Sequence, residues 1–192
     1  GMGTRVQPFT DNHPKALAQV NGVPLLERNI KYLQSYGIND FVINIHHFGG
    51  QILAFLAEND NFGANIEISN ESDELLETGG GLLFAKRFLE NEKTFLIMNV
   101  DILTDLNITN FINIHELKGG MVTLAVSDRD STRKLMFNDK MYLKGWKNLT
   151  TNIKTVVGGI FKLRELAFSG VHCVNSEIFG KITRTGKFSI MD

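Results

Sequence analysis

The sequence predicts a three-layer α/β domain around a mostly parallel, mixed β-sheet, and we expect residues 1–192 to form this single domain. Patterns typical of helices and strands alternate up to residue 120, as in proteins whose helices cover a parallel sheet. The run TFLIMNVD, residues 94–101, is almost wholly apolar, which is typical of a strand covered on both faces. After residue 120 short strand patterns follow one another, and we interpret them as antiparallel additions to the sheet or as an excursion that returns to it.

Helices in the first part are indicated by apolar residues that recur every three or four positions. Leu26, Ile30 and Leu33 have this spacing, and Pro24 and Gly37 suit the start and the end of a helix. This helix is predicted over residues 23–37, and further helices over 49–60, 80–91 and 108–120. Strands are predicted over residues 40–48, 64–71 and 94–101.

The second part is predicted to be rich in strands. They are expected over residues 120–128, 133–139, 141–146, 156–163 and 166–175. Residues 129–134, RDSTRK, are interpreted as a charged surface turn.

Composition argues against several classes of protein. The chain has 20 lysines and arginines against 21 aspartates and glutamates, and this balance gives no support to a nucleic-acid-binding surface. No run of about 18 apolar residues is present, so no membrane span is predicted, and residues 1–15 lack the features of a signal peptide. Cys173 is the only cysteine and lies in an apolar run, so we expect it to be buried and the setting to be reducing and cytoplasmic.

A glycine-rich turn opens the sequence GMGTRVQPFTDNHPKAL. Gly1 and Gly3 permit a tight turn whose backbone N–H groups attract anions. Arg5 would add a forked contact to phosphate, and Lys15, after the stiffening Pro14, is a compact cation suited to a polyphosphate. The spacing matches neither a Walker A loop nor the dinucleotide-binding fingerprint. The alternative interpretation is a flexible terminus with an ordinary surface lysine.

A second glycine cluster, Gly79 to Gly81, stands at the start of a predicted helix. Thr78 would be a simple cap for this helix. Three glycines carry a large ordering cost that a helix does not require, however, so we also expect something flat, such as a nucleobase, to lie against this backbone.

Polar residues follow the apolar strand 94–101. Asn99 and Asp101 fall at its carboxyl end, where ligands of open α/β sheets gather. An aspartate there suits Mg²⁺, which is bound by one or two carboxylates together with substrate phosphates. The alternative is an aspartate that caps the next loop, and Asp105 is interpreted as a helix cap.

The opening segment closely resembles the signature of sugar-1-phosphate nucleotidyltransferases, G-x-G-T-R-x-x-P-x-T-x-x-x-P-K-x-L followed by V-x-G-x-P. The matching residues are Gly1, Gly3, Thr4, Arg5, Pro8, Thr10, Pro14, Lys15, Leu17, Val20, Gly22 and Pro24. The resemblance implies a Rossmann-like nucleotidyltransferase fold, a nucleoside triphosphate and a sugar 1-phosphate as substrates, and Mg²⁺ as cofactor.

Roles of single residues are also implied by this resemblance. The resemblance assigns catalytic contacts with phosphate to Arg5 and Lys15, and it assigns metal binding to Asp101. Nucleotide binding falls on Gly1, Gly3, Thr4, Glu77, Thr78, Gly79 and Gly80. Sugar binding falls on Asn99, Gly159, Ser169 and Gly170, although a core strand with a bulge accounts equally well for the last three.

The segment LLETGGG resembles most closely the uridylyltransferases that act on N-acetylmuramate 1-phosphate, as do NIHHFGGQI and LAFSGVHCVN. The implied reaction is transfer of a uridine monophosphate group to that sugar phosphate with release of pyrophosphate. Two alternatives stay open: a mannose-1-phosphate guanylyltransferase, and a non-catalytic binding module of the same fold.

Two elements of the family pattern are not found in residues 1–192. Family members carry a strand ending in L-A-A-G before the glycine-rich turn, and a second metal-binding aspartate in a W-x-D-x-G-T-like stretch near the C-terminal end. The resemblance therefore implies that the chain is trimmed at both ends.

Overall fold

A computed structural model describes residues 7–71, 75–159 and 162–190. The helices are α1 (Leu25–Gln34), α2 (Gly49–Glu58), α3 (Glu77–Phe84), α4 (Lys86–Leu89) and α5 (Ile108–Lys118). The strands are β1 (Gln19–Val20), β2 (Val23–Pro24), β3 (Asp40–Ile45), β4 (Asn65–Asn70), β5 (Thr94–Met98), β6 (Val122–Ser127), β7 (Arg133–Phe137), β8 (Leu143–Asn148), β9 (Ile153–Val156) and β10 (Arg164–Asn175).

The first half alternates helix and strand as the sequence predicts. Helix α1 follows Pro24 directly, and its apolar residues Leu26, Ile30 and Leu33 are all buried. Strands β3 and β4 pair in parallel, with Asp40 opposite Asn65 and Ile45 opposite Asn70. The helices α1 and α2 bury their apolar sides against this pair, and the α/β class is therefore confirmed.

The larger sheet is organised by the long strand β10. Its order is β5–β10–β7–β8–β9, and β6 also pairs with β10. All these pairs are antiparallel, so the expectation of mostly parallel pairing is wrong for the described strands. The reason is that β10 returns between β5 and β6 after the excursion through β7, β8 and β9, and it runs against all of its neighbours.

Three predicted boundaries also need correction. The strand expected over 156–163 is replaced by β9, which ends at Val156, and residues 157–159 turn away at Gly158 with φ of +88°. The helix expected over 80–91 starts earlier, at Glu77, and is interrupted at Ala85. Asp105 is not the cap of α5, because the side chain of Asn107 accepts the N–H of Asn110.

Apolar side chains fill both faces of β5. Phe95 packs with Leu82 of α3, with Val174 and with Phe179 on one face. The other face belongs to a cluster of Phe111, Ala125, Val171 and Cys173, against which Leu96 and Met98 pack. This two-sided burial explains the continuous apolar run in the sequence and places the carboxyl end of β5 at the edge of the core.

Among the described residues, no helix combines the length and the apolar character needed to cross a membrane.

The buried histidine of β10 should make folding stability depend on pH. His172 is 7% exposed, and burial lowers its pKa from 6.5 to about 4. The unfolded chain therefore binds a proton more readily than the folded one, so this stability is present above pH 6.5 and is lost as pH falls towards 4. We expect wild-type protein to lose about 2 kcal/mol of unfolding free energy between about pH 7 and pH 5 from this residue.

Urea unfolding at the two pH values measures this loss. His172→Leu should be much less sensitive to pH, whereas His47→Gln, which changes an exposed histidine, should behave like wild type. An equal loss in wild type and His172→Leu would assign the pH dependence to other groups.

Candidate active site

Two residues predicted separately from the sequence meet in the structure. The ammonium group of Lys15 forms an ion pair with Oδ2 of Asp101, although 86 positions separate them. Lys15 begins a short 3₁₀ turn after the buried Pro14, and Asp101 lies in the loop after β5. Their side chains are 20% and 34% exposed, so the pair is accessible to a ligand.

The loop that carries Asp101 is fixed to α1. The Nδ2 of Asn29, which is 9% exposed, donates to the carbonyl of Val100 at 2.9 Å. Val100 also packs against the core cluster that contains Leu26 and Ile30. Helix α1, whose buried face follows from the spacing of its apolar residues, therefore holds the backbone next to the Asp101 carboxylate.

Asn99 and Gly170, two of the predicted sugar-binding residues, are neighbours in the structure. The N–H of Asn99 donates to the carbonyl of Gly170 at 3.0 Å. Gly170 has φ of +82°, and a Cβ there would lie 2.4 Å from Cδ1 of Ile102. Only glycine suits this bulge of β10, because it needs both a left-handed backbone and a close approach of the Asp101 loop.

Ser169 lies next to a cation that the sequence interpretation did not single out. Its Oγ donates to Oγ of Ser127 at 3.3 Å. Beside it, Nη2 of Arg129 donates to the carbonyl of Phe168 at 3.0 Å. Arg129 was assigned to a charged turn, and the signal that would have found it is an arginine directly after the strand predicted over residues 120–128.

Gly159 is the remaining residue predicted to bind the sugar. It is exposed and lies beyond the end of β9, which is an edge strand of the larger sheet. The assignment of Gly159 as a sugar contact stays a prediction.

The second glycine cluster packs against protein. The N–H groups of Gly79 and Gly80 donate to the carbonyl of Phe188 at 2.9 and 3.2 Å. A Cβ on Gly79 would lie 2.4 Å from the Phe188 ring, and one on Gly80 would lie 2.3 Å from the carbonyl oxygen of Gly186. The close approach of segment 186–190 thus accounts for these two glycines, and a nucleobase is not needed to explain them.

Glu77 and Thr78 are the exposed residues at the start of α3. Glu77 has φ of +62°, an uncommon conformation for a residue with a side chain. Thr78 does not cap the helix, because its Oγ1 accepts the N–H of Ile190 at 3.0 Å. Of the residues predicted to bind the base, these two are the ones that present side chains to solvent.

Glu71 is a buried carboxylate that the sequence interpretation missed. It is 5% exposed, follows β4 directly, and lies against Gly81 of α3. Its signal in the sequence is an acidic residue at the carboxyl end of a strand that leads into the glycine cluster.

Gly1, Gly3, Thr4 and Arg5 lie outside the described residues, and their roles stay predictions. Cys173 is buried, as predicted, and burial raises the pKa of its thiol to about 11. A thiol with this pKa is protonated at neutral pH, which argues against a nucleophilic role.

The described residues offer few protein ligands for a metal ion. The described residues contain no group of three or more histidine, cysteine, aspartate or glutamate side chains able to hold an ion. Asp101 remains suited to Mg²⁺, since this ion is commonly held by one or two carboxylates together with substrate phosphates.

Comparison with known proteins gives this geometry a context. The family model described as Nucleotidyl transferase matches residues 1–135. A mannose-1-phosphate guanyltransferase of Gibberella zeae is 32% identical over 136 residues, which cover 70% of this chain and 37% of that protein. An N-acetylmuramate alpha-1-phosphate uridylyltransferase of Neisseria meningitidis serogroup B is 38% identical over 109 residues, which cover 57% of this chain and 47% of that protein. The chain therefore spans less than half the length of either relative.

A solved structure extends the likeness beyond the matched segment. HddC from Yersinia pseudotuberculosis, complexed with GMP-PN, superposes with a TM-score of 0.78 at 19% identity, covering 100% of this chain and 80% of that chain. This similarity confirms the Rossmann-like α/β fold. Because the family model covers both Lys15 and Asp101, which meet at the carboxyl end of β5, the chain belongs to the nucleotidyl transferase family.

Proposed function

We propose that this protein transfers a nucleoside monophosphate from a nucleoside triphosphate to a sugar 1-phosphate and releases pyrophosphate. Uridine triphosphate is the preferred donor and N-acetylmuramate 1-phosphate the leading acceptor. The observation that carries the proposal is the ion pair of Lys15 with Asp101, which joins two motifs predicted for phosphate and metal binding.

The proposed nucleotidyl transfer requires little proton transfer by the protein. The attacking group is already a phosphate anion, so no general base is required, and catalysis depends on positioning and on neutralising charge. Lys15 would stabilise the negative charge that develops on the α-phosphate and on the departing pyrophosphate. Arg5, next to the glycine-rich turn, is assigned to the same anion.

Mg²⁺ bound at Asp101 would supply charge neutralisation at the α-phosphate. Within this chain, Asp101 would hold the ion and Asn29 would keep the backbone of its loop in place through Val100. Lys15 must then leave the carboxylate that it contacts in the structure and turn to the phosphates. Its long, flexible side chain allows this movement without a change in the backbone.

The acceptor side of the proposed site is next to Asp101. Asn99 is exposed and Ser169 half-buried, and the buried Gly170 links them, because its carbonyl accepts the N–H of Asn99. Arg129 places a positive charge at the same bulge of β10. A sugar phosphate carries negative charge, so a cation at this edge supports acceptor binding there.

The second candidate is transfer of a guanosine monophosphate group to mannose 1-phosphate. It is favoured by the relative from Gibberella zeae, whose match covers 70% of the chain. The uridylyl assignment is favoured by the higher identity, 38%, to the relative from Neisseria meningitidis serogroup B and by the LLETGGG segment. The two candidates share the reaction and differ in base and sugar.

A panel of substrates tests the proposal. Four nucleoside triphosphates are each combined with glucose, mannose and N-acetylmuramate 1-phosphates, and pyrophosphate release is measured with Mg²⁺ present. We expect uridine triphosphate with N-acetylmuramate 1-phosphate to give a kcat/KM at least about tenfold above the other pairs. The same panel run with Lys15→Ala gives the background.

The outcomes separate the candidates. Preference for guanosine triphosphate with mannose 1-phosphate would establish the second candidate. Failure of every pair, in a folded protein that still binds a triphosphate, would contradict catalysis and favour a non-catalytic binding module.

A further inference from the structure

The starting observation is a buried carboxylate without a cationic partner among the described residues. Glu71 is 5% exposed, and Oε1 accepts a hydrogen bond from Nδ2 of Asn44 while Oε2 accepts the N–H of Leu76 at 3.2 Å. A buried charge is unfavourable unless hydrogen bonds compensate for its lost hydration. Both carboxylate oxygens of Glu71 accept hydrogen bonds, which indicates that the side chain is held in a defined orientation.

Three segments are joined by Glu71. Asn44 belongs to β3, and Leu76 stands directly before α3. The main chain of Glu71 adds two bonds to the end of β3, since its N–H donates to the carbonyl of Ile45 at 2.8 Å and its carbonyl accepts from Nδ1 of His46 at 2.6 Å. The ends of β3 and β4 and the start of α3 are thus held at one residue.

Helix α3 rests directly on the bonded pair. A Cβ on Gly81 would lie 2.4 Å from Oε1 of Glu71 and 2.9 Å from Nδ2 of Asn44. The absence of a side chain at Gly81 therefore lets the helix approach the carboxylate and the amide. On another side, the same turn is bonded to Phe188, so the start of α3 is supported from two directions.

We infer that Glu71 is a positioning residue for the nucleoside triphosphate, acting through the start of α3, where Glu77 and Thr78 face solvent. This inference rests on the proposed nucleotidyl transfer, because it takes Glu77 and Thr78, the predicted nucleotide contacts at the start of α3, as the donor side of that site. Asp101, Asn99 and Gly170 belong to other elements, so the acceptor side should not depend on Glu71.

The principal test is Glu71→Gln. The introduced amide keeps the shape of the side chain but removes its charge. Its nitrogen must face either the Leu76 N–H, which is also a donor, or the Asn44 amide, which must then turn its oxygen inward. We expect the KM for uridine triphosphate to rise about tenfold, with kcat and the KM for the sugar 1-phosphate changing by less than about threefold. Glu67→Gln, an exposed change on β4, the strand that leads to Glu71, should leave all three values as in wild type.

A reciprocal exchange provides the rescue. In the double variant Asn44→Asp with Glu71→Gln, the new amide donates to the new carboxylate and its oxygen accepts the Leu76 N–H. The bonds are restored with donor and acceptor exchanged, so the KM for uridine triphosphate should return to within about threefold of wild type. A role limited to the charge of Glu71 would not be rescued by this exchange.

Binding of uridine triphosphate by calorimetry, without acceptor, separates this inference from the proposed function. A wild-type protein that binds no triphosphate would contradict the proposed function itself. Binding by wild type with unchanged affinity in folded Glu71→Gln would overturn the inference alone. If Glu71→Gln does not fold, Asn44→Ala decides, because Asn44 is exposed and its removal frees β3 from the carboxylate. A weaker affinity in Asn44→Ala supports the inference, and wild-type affinity overturns it.

Discussion

Lys15→Ala is expected to lower the rate of pyrophosphate release by about 10²–10³ while the protein stays folded. The ammonium group of Lys15 is the described cation at the carboxylate assigned to the metal, and its loss removes charge stabilisation from the transferring phosphate. The ion pair is partly exposed, so its contribution to stability should be no more than about 1 kcal/mol. Steady-state kinetics at saturating Mg²⁺ and a thermal melting curve measure the two effects.

The matched control is Lys31→Ala. Lys31 is an exposed lysine of α1 that pairs with Glu27, one helical turn away. It should keep wild-type turnover, which separates the specific role of Lys15 from a general loss of positive charge. Near-normal turnover in Lys15→Ala would remove Lys15 from the reacting centre, and loss of the folded state would mean that Lys15 has a structural role.

Local sequence patterns predicted much of the fold. The spacing of Leu26, Ile30 and Leu33 predicted α1, and the structure buries all three. The apolar run over β5 correctly indicated a strand covered on both faces. These predictions succeeded because burial of side chains within one element depends on its own periodicity.

The pairing of strands that are far apart in the sequence could not be predicted from local patterns. Strand β10 lies between β5 and β6, and its first residues pair with β7. Its sequence shows a strand with a glycine inside it, but the direction of its neighbours follows from the path of the chain through β7, β8 and β9. Only the position of the bulge, at Gly170, had a local signal.

The same difference between local and long-range signals applies to the candidate site. Lys15 and Asp101 were each predicted from a motif, and their contact agrees with a shared site. Glu71 and Phe188 had no comparable motif, because their importance comes from segments that only the folded chain brings to α3. The glycines of α3 illustrate the difference: the sequence showed that something must approach closely, and the structure shows that Glu71, Gly186 and Phe188 do so.

Asp101→Asn is expected to reduce turnover by at least about 10² and to raise the Mg²⁺ concentration needed for half-maximal rate. The change keeps the size of the side chain but replaces an anionic oxygen ligand by a neutral amide. Lys15 loses its ionic partner in this variant, yet its own charge remains available to phosphate. Rates measured over a series of Mg²⁺ concentrations, together with direct titration of the protein with Mn²⁺, report on the metal separately from the chemistry.

Two control variants are needed to interpret the result for Asp101→Asn. Asp105→Asn changes an exposed aspartate four positions further along the same loop, and it should leave both the rate and the Mg²⁺ dependence unchanged. Lys15→Ala should lower the rate without raising the Mg²⁺ requirement, because it removes a cation that competes with the metal for the same carboxylate. An Asp101→Asn variant that is active with an unchanged Mg²⁺ dependence would place the metal elsewhere. If Lys15→Ala and Asp101→Asn instead raise the Mg²⁺ requirement equally, the ion pair itself organises the loop, and the assignment of the metal to Asp101 alone is wrong.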